Sequence, residues 1–282
     1  MVISILILLV INLIILKNNK KIFEFVGIFD YPLEKRKIHK DPISLSGGLI
    51  ILISFIISLI LLTNHQNFFE NILIIVFSIL FYLIGYFDDK NNIKPLKKTI
   101  LNISLIFLFL LFSKEFILGD LKSIYFGNNI QLQNFSILFT IFCFITFLNA
   151  LNMYDGINGQ SGIYILFLVI YLLFLTQKEI FLLMVIPILF FLYMNFKNKC
   201  FLGNSGVNFI SFIILIFFIK NYKESYFHSV EEILVLMILP GVEMIRLFFF
   251  RILKSKNPFY ADNFHIHHLL LNYLNPINVV LV

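Results

Sequence analysis

Ten apolar runs, most of them long enough to cross a bilayer, make up most of this chain. A helix needs roughly 20 apolar residues to span about 30 Å of hydrocarbon, and backbone inside a bilayer must pair its own polar groups. The pattern therefore predicts an all-α polytopic membrane protein with about ten transmembrane helices. The runs fall at residues 1–16, 44–63, 67–87, 99–113, 135–151, 160–176, 179–196, 206–219, 232–253 and 269–282.

The composition excludes other classes of chain. Hydrophobic residues make up 60% of the sequence and charged residues 13%, whereas soluble domains have about 45–50% and 25%. A soluble fold could not hide this excess of apolar side chains, and a disordered chain needs the opposite composition. We expect residues 1–282 to form one integral membrane domain.

The distribution of basic residues predicts the orientation in the membrane. If the loop 17–43 is cytoplasmic and sides alternate from there, 17 of the 22 Lys and Arg residues lie on the cytoplasmic side. This asymmetry follows the positive-inside rule and places the N-terminus outside a bacterial-type plasma membrane. It also accounts for the net charge of +6 without a nucleic-acid partner. The first run lacks the features of a signal peptide, and alternating residues in the outer loop 114–134 predict a small β-hairpin.

Polar residues gather on the predicted cytoplasmic face. Six of the seven Asp residues and four of the six His residues fall there, which indicates an active site. In the first cluster, residues 36–48, cations precede the pair Gly47 and Gly48 at a helix start, where free N–H groups would bind an anion. A basic loop followed by closely packed glycines fits this cluster slightly better.

The second cluster contains Asp88 and Asp89 at the cytoplasmic end of a span. A divalent cation such as Mg²⁺ would offset the repulsion between two adjacent carboxylates. Alternatively, both are solvated acids that end the helix. Neighbours on a helix point about 100° apart, so the two carboxylates need not share one role.

The third cluster, residues 149–159, has polar side chains at every third position: Asn149, Asn152, Asp155 and Asn158. A continuous helix would align them in one stripe, and a nucleotide or a metal would supply the partners that buried polar groups need. A helix cap followed by a glycine-rich turn is the alternative.

The fourth cluster joins a polar turn at 201–206 to the C-terminal histidines. Glu243 and Arg246 lie in a predicted span, and three histidines occur within residues 265–268. Histidines bind metals or donate hydrogen bonds to phosphates. With no nearby cysteine, phosphate contact is favoured over structural zinc.

In this order the clusters resemble the motifs of the polyprenyl-phosphate N-acetylhexosamine-1-phosphate transferases, glycosyltransferase family 4. The segments similar to the family's motifs are residues 36–48, 85–89, 149–156, 201–206 and 240–268. The resemblance implies transfer of a sugar 1-phosphate from a UDP-sugar to a polyprenyl phosphate such as undecaprenyl phosphate, with release of UMP. The His-Ile-His-His tail is similar to the simple N-acetylhexosamine branch rather than to the branch that uses UDP-MurNAc-pentapeptide.

The resemblance also implies roles for individual residues and partners. Asp88, Asp89 and Asp155 are the expected catalytic residues, with Asp88 orienting or deprotonating the lipid phosphate. A Mg²⁺ ion, or Mn²⁺, would be held by Asp89, Asp155 and Asn204. A second copy of the chain is a possible partner. The expected substrate-binding residues are Arg36, His39, Lys97, Lys98, Asn149, Asn152, Asn158, His265, His267 and His268.

Five positions depart from the family pattern: Ser44, Asn158, Asn204, Val207 and Glu243. Asn158 and Asn204 stand where the family has aspartates, so metal affinity is expected to be weaker. A catalytically silent relative that binds nucleotide-sugar or lipid phosphate is therefore the alternative function. A transporter is less favoured, because it would need charged groups at mid-membrane depth, where only Glu243 and Arg246 are expected.

Overall fold

The computed structural model describes residues 1–32, 41–127, 129–254, 265–271, 273, 278 and 279. The side chains of His267 and His268 lie outside this description. The helices are Val2–Lys17 (α1), Asn19–Val26 (α2), Gly47–Leu62 (α3), Phe68–Asn91 (α4), Pro95–Phe112 (α5), Ser136–Tyr154 (α6), Gln160–Thr176 (α7), Glu179–Phe196 (α8), Gly203–Lys223 (α9), Val230–Leu236 (α10), Ile238–Leu253 (α11) and Ile266–Leu270 (α12).

The helices confirm a polytopic all-α membrane protein. Five of those described are long and apolar enough to cross a membrane, or seven if each of two bent pairs counts as one span. The helices α3 and α7 are apolar but shorter. Nine of the ten predicted runs thus coincide with helices, while the tenth, 269–282, falls largely outside the described residues. The number of about ten spans stays a prediction.

Two bends differ from the expected topology. The loop predicted at 17–43 begins with the helix α2, which is bent by 76° from α1. The span predicted at 232–253 is broken near Met237 into α10 and α11, at an angle of 73°. Two lysines and a glutamate within its eight residues hid α2 from an apolar-run criterion. Nothing in the apolar composition of 232–253 marks the second bend.

The helix α9 is the centre of the bundle. In its most apolar stretch of 18 residues 83% are buried, compared with 28% to 50% in the other four long helices. It packs against α3, α4 and α6. Phe212, near its middle, stacks on Phe81 of α4 with ring centroids 4.4 Å apart and meets Phe109 of α5 edge-on at 5.0 Å. This packing places α4, α5 and α9 side by side.

The glycine pair at the start of α3 packs against the start of α9. The N–H groups of Gly47 and Gly48 donate to the carbonyl oxygens of Phe201 and Leu202 at 2.9 Å and 3.2 Å. A Cβ atom on Gly48 would lie 2.4 Å from the Cα atom of Gly206. These N–H groups are already bonded, so the anion-binding interpretation of this pair was wrong and the packing alternative holds.

Short strands complete the fold. Phe29–Asp30 (β1) pairs antiparallel with Ile43–Ser44 (β2). The hairpin predicted in 114–134 is confirmed, with Asp120–Lys122 (β3) antiparallel to Asn129–Gln131 (β4). The Lys122 N–H donates to the Tyr222 hydroxyl at the far end of α9, at 2.6 Å. The hairpin therefore covers the end of the bundle opposite to the start of α9.

Candidate active site

Asp88 and Asp89 end the helix α4 and point to different neighbours. Asp88 Oδ2 forms an ion pair with Lys98 Nζ of α5 at 2.8 Å, and its Oδ1 accepts a hydrogen bond from the Ile93 N–H at 3.0 Å. Asp89 instead faces α9. Because helix neighbours diverge by about 100°, one acid joins α4 to α5 and the other joins α4 to α9. The two neighbouring carboxylates therefore have separate partners, and their separate roles stay a prediction.

Asp89 caps the first turn of α9. Its Oδ1 accepts from the Asn204 N–H at 2.9 Å, and its Oδ2 accepts from the Ser205 N–H at 3.0 Å. The first N–H groups of a helix have no partner within it, and a carboxylate there also interacts favourably with the helix dipole. Gly203 has φ +73°, and a Cβ on it would lie 2.8 Å from Asp89 Oδ2. Only glycine therefore admits this capping carboxylate.

Lys98 and Asn204 close the same cluster. Lys98 Nζ donates to Asn204 Oδ1 at 2.9 Å, while Asn204 Nδ2 donates to Asp89 Oδ1 at 2.9 Å. The side chains of Lys98 and Asp88 are only 12% and 11% exposed. The predicted residues Asp88, Asp89, Lys98 and Asn204 thus form one connected network, which we call the site network. Lys97 is exposed on the first turn of α5.

The polar stripe predicted from the three-residue spacing is interrupted. The helix α6 ends at Tyr154, before Asp155. Asn149 lies inside α6 and donates to the Ile145 carbonyl oxygen at 2.9 Å. Asn158 lies beyond the helix and donates to Asn198. The cap-and-turn alternative is correct for the second half of this motif, because the backbone leaves helical geometry at Asp155, which has φ −77° and ψ 79°.

Asp155 accepts a hydrogen bond from the Ser161 hydroxyl at the start of α7. Burial raises the pKa of Asp155 to about 6; the Ser161 hydrogen bond opposes this shift and the negative charge of nearby Asp89 adds to it. Asp155 therefore lies close enough to Asp89 of the site network for the two charges to interact. An acid with such a pKa exchanges protons close to neutral pH, as general acid–base chemistry requires.

The raised pKa of Asp155 predicts a pH-dependent stability. Between pH 4, near the usual value for Asp, and pH 6, the folded protein holds a proton that the unfolded chain has released. Asp155 therefore lowers the free energy of unfolding as pH rises from 4 to 6, by about 2 kcal/mol in all. Asp155→Asn should flatten this slope in melting temperatures of the purified protein from pH 4 to 7. If the melting temperatures of the wild type and Asp155→Asn changed equally with pH, the raised pKa would not belong to Asp155.

Sequence reasoning missed two asparagines that order the loops beside the site. Asn195, near the end of α8, accepts from the Gly159 N–H at 2.6 Å through Oδ1 and donates through Nδ2 to the Cys200 carbonyl oxygen at 2.9 Å. Asn198 accepts from Asn158. Together they tie the loop after α6 to the loop before α9. The sequence feature that could have identified Asn195 is its position as a polar residue at the end of an otherwise apolar run.

Glu243 forms a second polar group on α11. Its carboxylate accepts from Arg246 Nε at 3.0 Å and from the Ile266 N–H at 2.9 Å. The Nδ1 atom of His265 lies 3.5 Å from Glu243 Oε1. Glu243 therefore fixes the start of α12, on which most of the histidine motif lies.

Of the remaining predicted residues, Arg36, His39 and the side chains of His267 and His268 lie outside the described residues, and Asn152 is partly buried on α6.

We expect the site network and the β3–β4 hairpin to face opposite sides of the membrane, since α5 separates them. In variants with one added cysteine, Tyr125→Cys should react with a membrane-impermeant maleimide in intact cells, and Lys97→Cys only after permeabilisation. Both positions are exposed, whereas native Cys200 is buried. The reverse pattern would overturn the orientation, and labelling of both in intact cells would overturn the separation.

These features define a class of protein: a helical membrane bundle with carboxylates, an amide and a partly buried lysine joined at one end. Residues 71–221, more than half of the chain, match the model of glycosyl transferase family 4. The chain belongs to this family.

Curated relatives extend the similarity over most of the chain. The undecaprenyl-phosphate alpha-N-acetylglucosaminyl 1-phosphate transferases of Salmonella typhi and Escherichia coli K12 are each 25% identical over 266 residues, covering 89% of this chain and 71% of theirs. The phospho-N-acetylmuramoyl-pentapeptide-transferase of Thermotoga maritima is 29% identical over 150 residues, 48% of each chain.

Proposed function

We propose that this protein transfers an N-acetylhexosamine 1-phosphate from a UDP-sugar to undecaprenyl phosphate and releases UMP. An oxygen of the lipid phosphate attacks the phosphorus bonded to the sugar, and the bond from that phosphorus to the UMP oxygen breaks. The observation that carries the proposal is the similarity to N-acetylglucosaminyl 1-phosphate transferases along 89% of the chain. The shorter match to the pentapeptide enzyme, 48% of the chain, favours UDP-N-acetylglucosamine or a related sugar.

The residues at the site end suit this chemistry. Phosphoryl transfer depends mostly on positioning and on neutralising negative charge. We assign Lys98, which is partly buried beside Asp88, and the exposed Lys97 to the phosphates of the substrates. Asp88 orients the lipid phosphate through Lys98 or accepts its proton. Asp155, with its pKa near 6, is the second candidate proton acceptor. We assign the amides of Asn149, Asn152 and Asn158 to the nucleotide.

The metal assignment fits the structure poorly. Within the described ranges, no three or more His, Cys, Asp or Glu side chains lie close enough to hold a metal ion together. Both oxygens of Asp89 and both ends of the Asn204 amide are already hydrogen bonded. We therefore derive no step through Mg²⁺ or Mn²⁺ at these residues. A metal requirement stays a prediction, as do a partner copy of the chain and the outside position of the N-terminus.

A transfer assay tests the proposal. Membranes containing the protein are incubated with undecaprenyl phosphate and radiolabelled UDP-sugars, with and without Mg²⁺. We expect labelled lipid and an equal amount of UMP, with the highest rate for UDP-N-acetylglucosamine. Membranes without the protein provide the background. Tight binding of the UDP-sugar without either product would instead support the catalytically silent alternative.

A further inference from the structure

The side-chain amide of Asn204 joins three helices. Its Oδ1 accepts from Lys98 Nζ of α5 at 2.9 Å, and its Nδ2 donates to Asp89 Oδ1 of α4 at 2.9 Å. A lysine ammonium can only donate and a carboxylate oxygen here can only accept, so the chemistry of the neighbours fixes which end of the amide is which. Both ends of the amide are therefore needed.

An aspartate at position 204 could not make both of these hydrogen bonds. It would keep an acceptor for Lys98 but have no donor for Asp89. Two carboxylates would then meet at the 2.9 Å that now separates Asn204 Nδ2 from Asp89 Oδ1. In a partly buried site such a contact is strongly repulsive, and a divalent cation bound by carboxylate oxygens is the usual remedy. The asparagine removes the repulsion, so the ion is not needed for this contact.

Lys98 provides the positive charge that the site network requires. Its ammonium lies between two oxygens, Asp88 Oδ2 at 2.8 Å and Asn204 Oδ1 at 2.9 Å. Charged hydrogen bonds of this kind are among the strong ones in proteins. The ammonium is thus the cation between α4 and α9, and it belongs to the chain itself.

We propose that Asn204 is a positioning residue and that Asn204 and Lys98 hold α4, α5 and α9 together at the site end without a divalent cation. Asp89 and Asn204 are then structural partners of each other rather than metal ligands. This inference does not rest on the proposed function, because it concerns how the helices are joined and not which substrate reacts.

Thermal unfolding of the full-length protein in detergent, with EDTA or with a titration of Mg²⁺, tests the proposal without any turnover. We expect the same melting temperature for the wild type in both conditions. For Asn204→Asp we expect a decrease of about 2–4 °C in EDTA, recovered as Mg²⁺ is added because the ion binds only the folded form. Asn18→Asp is the matched control: among the described residues its amide bonds only to the Ile14 carbonyl oxygen, so it should show no dependence on Mg²⁺.

Three outcomes would overturn the proposal. The first is a wild-type melting temperature that rises with Mg²⁺ as much as that of Asn204→Asp. The second is an Asn204→Asp protein as stable as the wild type in EDTA, and the third is a loss that Mg²⁺ does not recover. If Asn204→Asp does not fold, Lys98→Met gives the same test. It leaves Asp88 without a cation, so its lowered melting temperature should increase with Mg²⁺, and independence from Mg²⁺ would overturn the proposal.

Discussion

Asp88→Asn should lower the rate of sugar-phosphate transfer by about a hundredfold or more, the usual loss when a group that stabilises transition-state charge is removed. The amide has the shape of the carboxylate and can still accept from the Ile93 N–H. However, it no longer offsets the Lys98 charge or accepts a proton from the lipid phosphate. The measurement is the initial rate of labelled lipid formation at saturating undecaprenyl phosphate, with equal amounts of folded protein confirmed by gel filtration.

Asp120→Asn is the matched control for this substitution. It also removes one carboxylate, but on β3, at the opposite end of the bundle from the site network. We expect its rate to equal that of the wild type. Near-normal turnover in Asp88→Asn would show that the reacting phosphates do not meet at the end of α4. Equal losses in both variants would indicate a general effect of charge.

Gly85→Ala should cause the largest loss of stability among single-methyl additions in α4 and α9. A Cβ at this position would lie 2.3 Å from the carbonyl oxygen of Asn204 and 2.4 Å from the Cα atom of Ser205. Both are backbone atoms, so the two helices must separate at the point where Asp89 caps α9. Overpacking of this kind typically costs about 1–3 kcal/mol, and we expect the melting temperature to fall by about 4–8 °C and activity to fall with it.

Gly241→Ala provides the comparison in another helix. A Cβ on Gly241, in α11, has no atom of the described residues within 4 Å, and alanine is favoured over glycine in a helix by up to about 1 kcal/mol. This variant should therefore melt at the wild-type temperature or slightly above it. If Gly85→Ala melted at the same temperature as Gly241→Ala, α4 and α9 would not approach each other as closely as the structure shows.

The length requirement of the bilayer explains why the helices could be predicted from the sequence. Spanning segments must be long, apolar and fully hydrogen bonded within themselves, so each of the first nine runs contains a helix. The bend between α10 and α11 was not predictable in this way, because the apolar run continues across Met237. The helix α2 was missed for the opposite reason, since its lysines made it resemble a loop.

The candidate site was only partly predictable. The sequence indicated that Asp88, Asp89, Lys98 and Asn204 share one face, and the structure joins them in one network. Their hydrogen bonds could not be foreseen, because the cap on α9 comes from a carboxylate 115 residues earlier in the chain. The three-residue spacing that ends at Asn158 suggested a continuous helix, but spacing alone does not reveal that the chain leaves the helix at Asp155.

The central position of α9 has a consequence for biosynthesis. The ribosome completes residues 1–202 before the first residue of α9 is made, so α3, α4 and α6 enter the membrane before the helix they pack against exists. Until then the carboxylate of Asp89 has no helix start to cap. The earlier helices can already pack against each other, but the centre of the bundle is filled only when α9 arrives. A nascent chain stopped before residue 203 therefore leaves exposed the faces of α3, α4 and α6 that α9 covers in the complete bundle.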